Sequence, residues 1–170
     1  MIICFDKIEV KVMTGIYYSD LFVINNIGCL VMGFGKSKTC RNFTGDNTKE
    51  IGVDSIRLEK GDGDLWGYAD PTMGFIPFNK YEAQFSKIQF LFRMLNEEET
   101  NRFKCSSITE INKEEFYRLC ELNITFGVFD ENSRINEFKS LIDSVDISCI
   151  LIPWCTDMKS KGKMISQYIK

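Results

Sequence analysis

The sequence predicts an α+β domain: a largely antiparallel sheet, made from N-terminal strands plus two later strands, with three to four helices packed against it. Three observations carry that reading. The first half holds short apolar or alternating runs divided by turn residues, the pattern of strands. The second half alternates stretches of helical spacing with apolar runs of strand length. No repeat period and no internal boundary divides the 170 residues, so they read as one domain, β-rich over about 1–78 and α/β over about 79–170.

Taken in order, IEVKV (8–12) alternates apolar and polar residues as a half-buried strand does. LFVIN (21–25) and GCLVMGF (28–34) read as a hairpin turning around Asn25–Gly28. KSKTCRNFTGDNTKE (36–50) is polar and turn-rich, which predicts a long loop. VDSIRL (53–58) and DLWGYA (64–69) form a second strand pair joined by Glu59–Gly63, and Asp70-Pro71 ends the run.

From Lys80 to Leu95, Tyr81, Phe85, Ile88, Phe92 and Leu95 share one helical face, widened by Phe90, Leu91 and Met94. That spacing predicts a buried helix. It should stop near Asn96, because Glu97–Glu99 would oppose the dipole at its C-terminus. Asn112 and Glu115 make a capping box, with Ile111 and Phe116 as its staple, for a helix running to about Leu122. ITFGVF (124–129) follows as a strand. A helix over about 133–144 groups Ile135, Phe138, Leu141 and Ile142. DISCILIP (146–153) reads as a strand covered on both faces, and a last helix from about Thr156 presents Met164, Ile165 and Tyr168.

Composition excludes whole classes of chemistry. There is no histidine, which removes Ser-His-Asp and Cys-His nucleophile systems and histidine metal sites. The seven cysteines are scattered, with no C-x-x-C, so a reducing cytoplasm and free thiols are expected. A net charge of −3 argues against general nucleic-acid binding. No apolar run is long enough for a membrane span, and no signal peptide is expected.

Three candidate sites stand out. GFGKSK (33–38) matches the end of the phosphate-loop pattern at Gly35, Lys36 and Ser37. It has Leu30 where the first glycine belongs, and its continuation lacks an apolar helical face, so the sequence reads against a nucleotide loop. Asp62, Asp64 and Asp70 suggest a cation, but a calcium loop starting at Asp62 fails at Trp66 and Met73. Cys40, beside Arg41 and near Lys36 and Lys38, is the best placed thiol, with Cys155 next.

No motif is specific enough to name a family. The lack of catalytic equipment leans away from an enzyme and implies no cofactor. It predicts a cytoplasmic protein that binds and neutralises a protein partner with a basic surface, as an inhibitor, antitoxin or immunity-type protein would, the partner a nuclease toxin for example. The expected contact residues are Asp62, Asp64, Trp66, Tyr68 and Asp70, aromatic anchors flanked by steering acids. The alternative is a histidine-free enzyme using carboxylates with a divalent metal, or a cysteine thiol.

Overall fold

The computed structural model describes residues 14–43, 48–69, 84–120 and 131–169. Its strands are β1 (Thr14–Tyr17), β2 (Asp20–Ile24), β3 (Ile27–Gly33), β4 (Lys49–Gly52), β5 (Ile56–Gly61), β6 (Asp64–Ala69), β7 (Phe85–Met94), β8 (Thr109–Ile111) and β9 (Ser148–Ile152). Its helices are α1 (Lys36–Cys40), α2 (Glu97–Arg102), α3 (Lys113–Cys120), α4 (Glu131–Ile142) and α5 (Met158–Tyr168). The segments 8–12 and 124–129, expected as strands, lie outside the described residues.

The two hairpins form where turn residues dictate. Asn25 and Asn26 take φ of 52° and 66° and close β2 onto β3, while Asp62 and Gly63 at 53° and 83° close β5 onto β6. Positive φ at both central residues matches the twist of the strands they join.

All the strands join one mixed sheet, not a largely antiparallel one. β4, β2 and β3 lie to one side of β7, and β3 pairs with β7 in parallel. The other edge of β7 changes partner along its length. Phe85–Ile88 pair antiparallel with β6, which leads on to β5 and β1, and Phe90–Met94 pair in parallel with β9, which β8 flanks.

β7 occupies the heart of the segment expected to be a helix. Its C-terminal half, Leu91 to Met94, is buried on both faces, so no period-two alternation shows in the sequence and a helical spacing arises by coincidence. The first half alternates between buried Ile88 and exposed neighbours.

Glu97–Glu99 likewise begin a helix and do not end one. The Asn96 side chain accepts from the Glu99 N–H at 2.8 Å, and the Glu99 carboxylate accepts from the Asn96 N–H at 2.9 Å. Three acids in a first turn complement the helix dipole. Asn96→Ala should lower stability by about 1 kcal/mol, read from the midpoint of a urea melt; an unchanged midpoint would remove the cap from this account. Of the capping box expected at α3, the structure shows the Glu115 N–H donating to Asn112 Oδ1 at 2.8 Å.

Helices cover both faces of the sheet. Phe116 and Tyr117 of α3 with Ile135, Phe138 and Leu141 of α4 pack over Leu21, Leu30 and Leu91. On the other face Cys40 of α1 and Ile165 of α5 pack over Phe22, Val31, Phe92 and Ile150. In α5, Ile165 is buried as expected, but Met164 and Tyr168 are exposed and the buried positions go to Lys161, Gly162 and Ser166. Among the described residues no helix is long and apolar enough to cross a membrane.

Candidate functional site

β3, β7 and β9 run the same way, so their carboxyl ends, Gly33, Met94 and Ile152, lie side by side. The crevice outside the carboxyl ends of parallel strands is where open α/β sheets bind ligands. Here three loops leave those ends: Phe34–Gly35 into α1, Leu95–Asn96 into α2, and residues 153–157 into α5.

GFGKSK makes the first of these loops. Gly33 and Gly35 take φ of 96° and 70°, and a side chain at Gly33 would collide with the Arg93 guanidinium and the Met94 carbonyl. The Phe34 N–H donates to the Met94 carbonyl at 3.3 Å, tying the loop to the central strand. A helix then begins at Lys36, which corrects the expectation of a long loop over 36–50. That helix is only five residues long and buries Lys36, Thr39 and Cys40. So short an element needs no apolar stripe, and the missing stripe misled the sequence reading.

Lys36 is 3% exposed. Its Nζ lies 2.5 Å from Asp54 Oδ1, 3.2 Å from Asp20 Oδ1 and 3.7 Å from the centroid of the Tyr18 ring. Burial alone would push its pKa down. The hydrogen bond to Asp54 and the charge of Asp20 outweigh burial and hold the amine above the ordinary lysine value. Asp20 opens β2 and is fully buried, and its Oδ1 also accepts the Asp54 N–H at 2.9 Å. Asp20 Oδ2 is buried with no hydrogen-bond partner among the described residues. A buried carboxylate oxygen without a donor is costly, and marks a place where a cation or donor fits.

A cavity of about 510 Å³ opens here, lined by Tyr18, Lys36, Ser37 and Lys38 together with Phe34 and Trp154. Lysine followed by a hydroxyl residue, straight after a buried strand and a glycine turn, is the equipment that takes phosphate charge and a phosphate-bound cation. The turn is Phe34–Gly35 alone, shorter than the full pattern, and Leu30 sits inside β3. Among the described residues no three His, Cys, Asp or Glu side chains cluster as a metal cage. Asp20 and Asp54 are a pair, which suits magnesium: it is held by one or two carboxylates and completes its shell with phosphate oxygens and water.

The residues expected to contact a partner lie elsewhere, on the β5–β6 hairpin. Asp62 is exposed at its tip, and Asp64 pairs with Lys87 at 2.8 Å. Trp66 and Tyr68 are half-buried, their rings 5.9 and 5.5 Å from exposed Phe85. Asp70 lies outside the described residues. The thiol reading weakens: Cys40 is buried, and burial foremost pushes its pKa well above the usual thiol range. Cys155 is half-buried, its thiol donating to the Asp157 carbonyl at 3.5 Å. Sequence reasoning missed Asp20 and Asp54, which only the β2–β3 hairpin and the turn before β5 bring to Lys36.

No protein-family model and no curated protein sequence matches the chain. Solved structures do. The fold resembles that of the HPr(Ser) kinase/phosphatase from Coxiella burnetii. The TM-score is 0.53 at 13% sequence identity, over 91% of this chain and 93% of the other. An architecture that carries a kinase/phosphatase points away from a non-enzymatic inhibitor, antitoxin or immunity-type protein, and corrects that expectation.

Proposed function

We propose that this chain is an enzyme that holds a phosphate-bearing ligand at Gly33–Lys38 and acts on its phosphoryl group with the help of a divalent cation. The observation that carries the reading is the buried Lys36, set between Asp20 and Asp54 at the carboxyl end of β3 and facing a cavity beside Ser37. The similarity to a kinase/phosphatase fold supports the same class of chemistry.

Phosphoryl transfer asks a protein for position and charge more than for a covalent partner. The lack of histidine is therefore no obstacle. Lys36 would turn its ammonium from Asp54 to the ligand's phosphate oxygens. Asp20 and Asp54 with the Ser37 hydroxyl would hold a magnesium ion, which supplies charge neutralisation between phosphate oxygens. Trp154 lines the same cavity.

Calorimetric titration with inorganic tripolyphosphate, with and without magnesium, tests this. Binding should need both magnesium and Lys36. Lys36→Met should weaken it at least thirtyfold, the cost of removing one partner from a desolvated charge pair being about 2–5 kcal/mol. Because that variant also strands Asp20, Ser37→Ala serves as a second one and should weaken the magnesium dependence in a folded protein. No heat from the unmodified protein would sink the proposal.

A further inference from the structure

We propose that Phe34 and Trp154 form the seat for the heterocyclic base of a nucleotide whose phosphates lie at Lys36 and Ser37; the inference rests on the phosphate reading of that site. Phe34 is 56% exposed, although its backbone is fixed on both sides by glycines in the left-handed region and by the bond to Met94. More than half of this large apolar ring is thus left to solvent at the tip of the loop. It meets another ring: the centroids of Phe34 and Trp154 lie 5.5 Å apart, with planes inclined at 56°. Two loops from different strands thus supply one continuous aromatic surface.

That surface divides two cavities of opposite character. On one side it shares the cavity of about 510 Å³ with Lys36, Ser37 and Lys38. On the other it lines a second cavity of about 550 Å³ with Asn96, Asn101, Glu97 and Glu98. Phosphates would be repelled from the second cavity and attracted to the first. A base is neutral, and its exocyclic amino group and ring edge match amide and carboxylate acceptors. One ligand with an anionic end and a flat, hydrogen-bonding apolar end satisfies both cavities across the same pair of rings.

Trp154 is pre-set for this. It follows buried Pro153, its backbone N–H donates to Thr100 Oγ1 at 2.7 Å, and the Lys161 Nζ lies 5.7 Å from its ring centroid. A side chain whose backbone is fixed and whose ring already has neighbours loses less entropy when a base stacks on it. Stacking is also tolerant, because every base has a π-face, so the seat selects nucleotides as a class rather than one base.

The test compares ATP and GTP with inorganic tripolyphosphate, each with magnesium, in the unmodified protein and in Phe34→Ala, whose exposed site leaves the fold intact by circular dichroism. Both nucleotides should bind about tenfold more tightly than tripolyphosphate. Phe34→Ala should erase that advantage, so that the nucleotides bind this variant no more tightly than tripolyphosphate does, and Phe34→Tyr should restore it. Tripolyphosphate binding with no nucleotide preference, or a preference that survives Phe34→Ala, overturns the base seat and leaves the phosphate site standing. Failure of all three ligands to bind overturns both.

Discussion

Arg93→Ala should cost about 3–5 kcal/mol of stability, a large share of the 5–15 kcal/mol that holds a typical domain together. Arg93 is 1% exposed in the middle of the sheet. Its Nη2 donates to Glu99 Oε1 at 2.7 Å, its Nε to the Leu119 carbonyl at 3.1 Å, and its Nη1 to the Met94 carbonyl. One guanidinium thus ties β7 to the first turn of α2 and the last turn of α3. Alanine would remove the donor to the Leu119 carbonyl and to Glu99 Oε1, and one of the two donors to the Met94 carbonyl, and the cost of a stranded buried acceptor exceeds that of a lost bond. Glu99→Gln keeps an acceptor and the volume, so it should cost much less. Urea melts of both variants check the argument, and a loss under 1 kcal/mol in Arg93→Ala would refute it. The Met94 carbonyl also receives the Phe34 N–H, so the same variant should loosen the loop that carries Lys36.

Lys161→Met should stabilise the protein by as much as about 3 kcal/mol at pH 7. Lys161 is fully buried on the inner face of α5, and its Nζ has no hydrogen-bond partner among the described residues. Burial pushes its pKa down to about 8, only partly offset by the thiols of Cys155 and Cys40. The unfolded chain therefore holds this proton more tightly than the folded one between about pH 8 and the ordinary lysine value near 10.4. Through that window the lysine's contribution to stability rises with pH, and below about pH 8 its full cost is present. Methionine keeps the length and removes the charge, so its gain should be largest at pH 7 and vanish near pH 10.5. Guanidinium melts at the two pH values measure this, and a gain equal at both would show that packing, not charge, is responsible.

The sequence made the hairpins and the α3 cap legible because each rests on one or two residues with a local reason to be there. Asn25-Asn26 can take positive φ, and Asn112 can reach its own helix. β7 was not legible, since a strand buried on both faces loses the alternation that identifies strands, and Phe85, Ile88 and Phe92 fall at helical intervals without a helix. Glu97–Glu99 were read at the wrong end of a helix for the same reason: once β7 was taken as helical, they had to terminate it. The site was half visible. Gly35, Lys36 and Ser37 could be read, but the test applied to them, an apolar stripe after Ser37, suits helices longer than α1. Asp20 and Asp54 carry no motif at all. Their place beside Lys36 comes from register, which sets Asp20 at the head of β2 opposite Val31, and from the turn before β5, which brings in Asp54.

The sheet also fixes when the site comes into being. Leu30 lies beside Leu91, and Leu91 beside Cys149, so both central parallel pairings join distant parts of the chain. Closing such loops costs entropy before any contact returns it, and chains dominated by distant pairings fold in milliseconds to seconds. The loop at Gly33–Lys38 leans on Met94, across the first of those pairings. Phe34 and Trp154 line the same cavity, so during synthesis Lys36 emerges well before that lining can be complete.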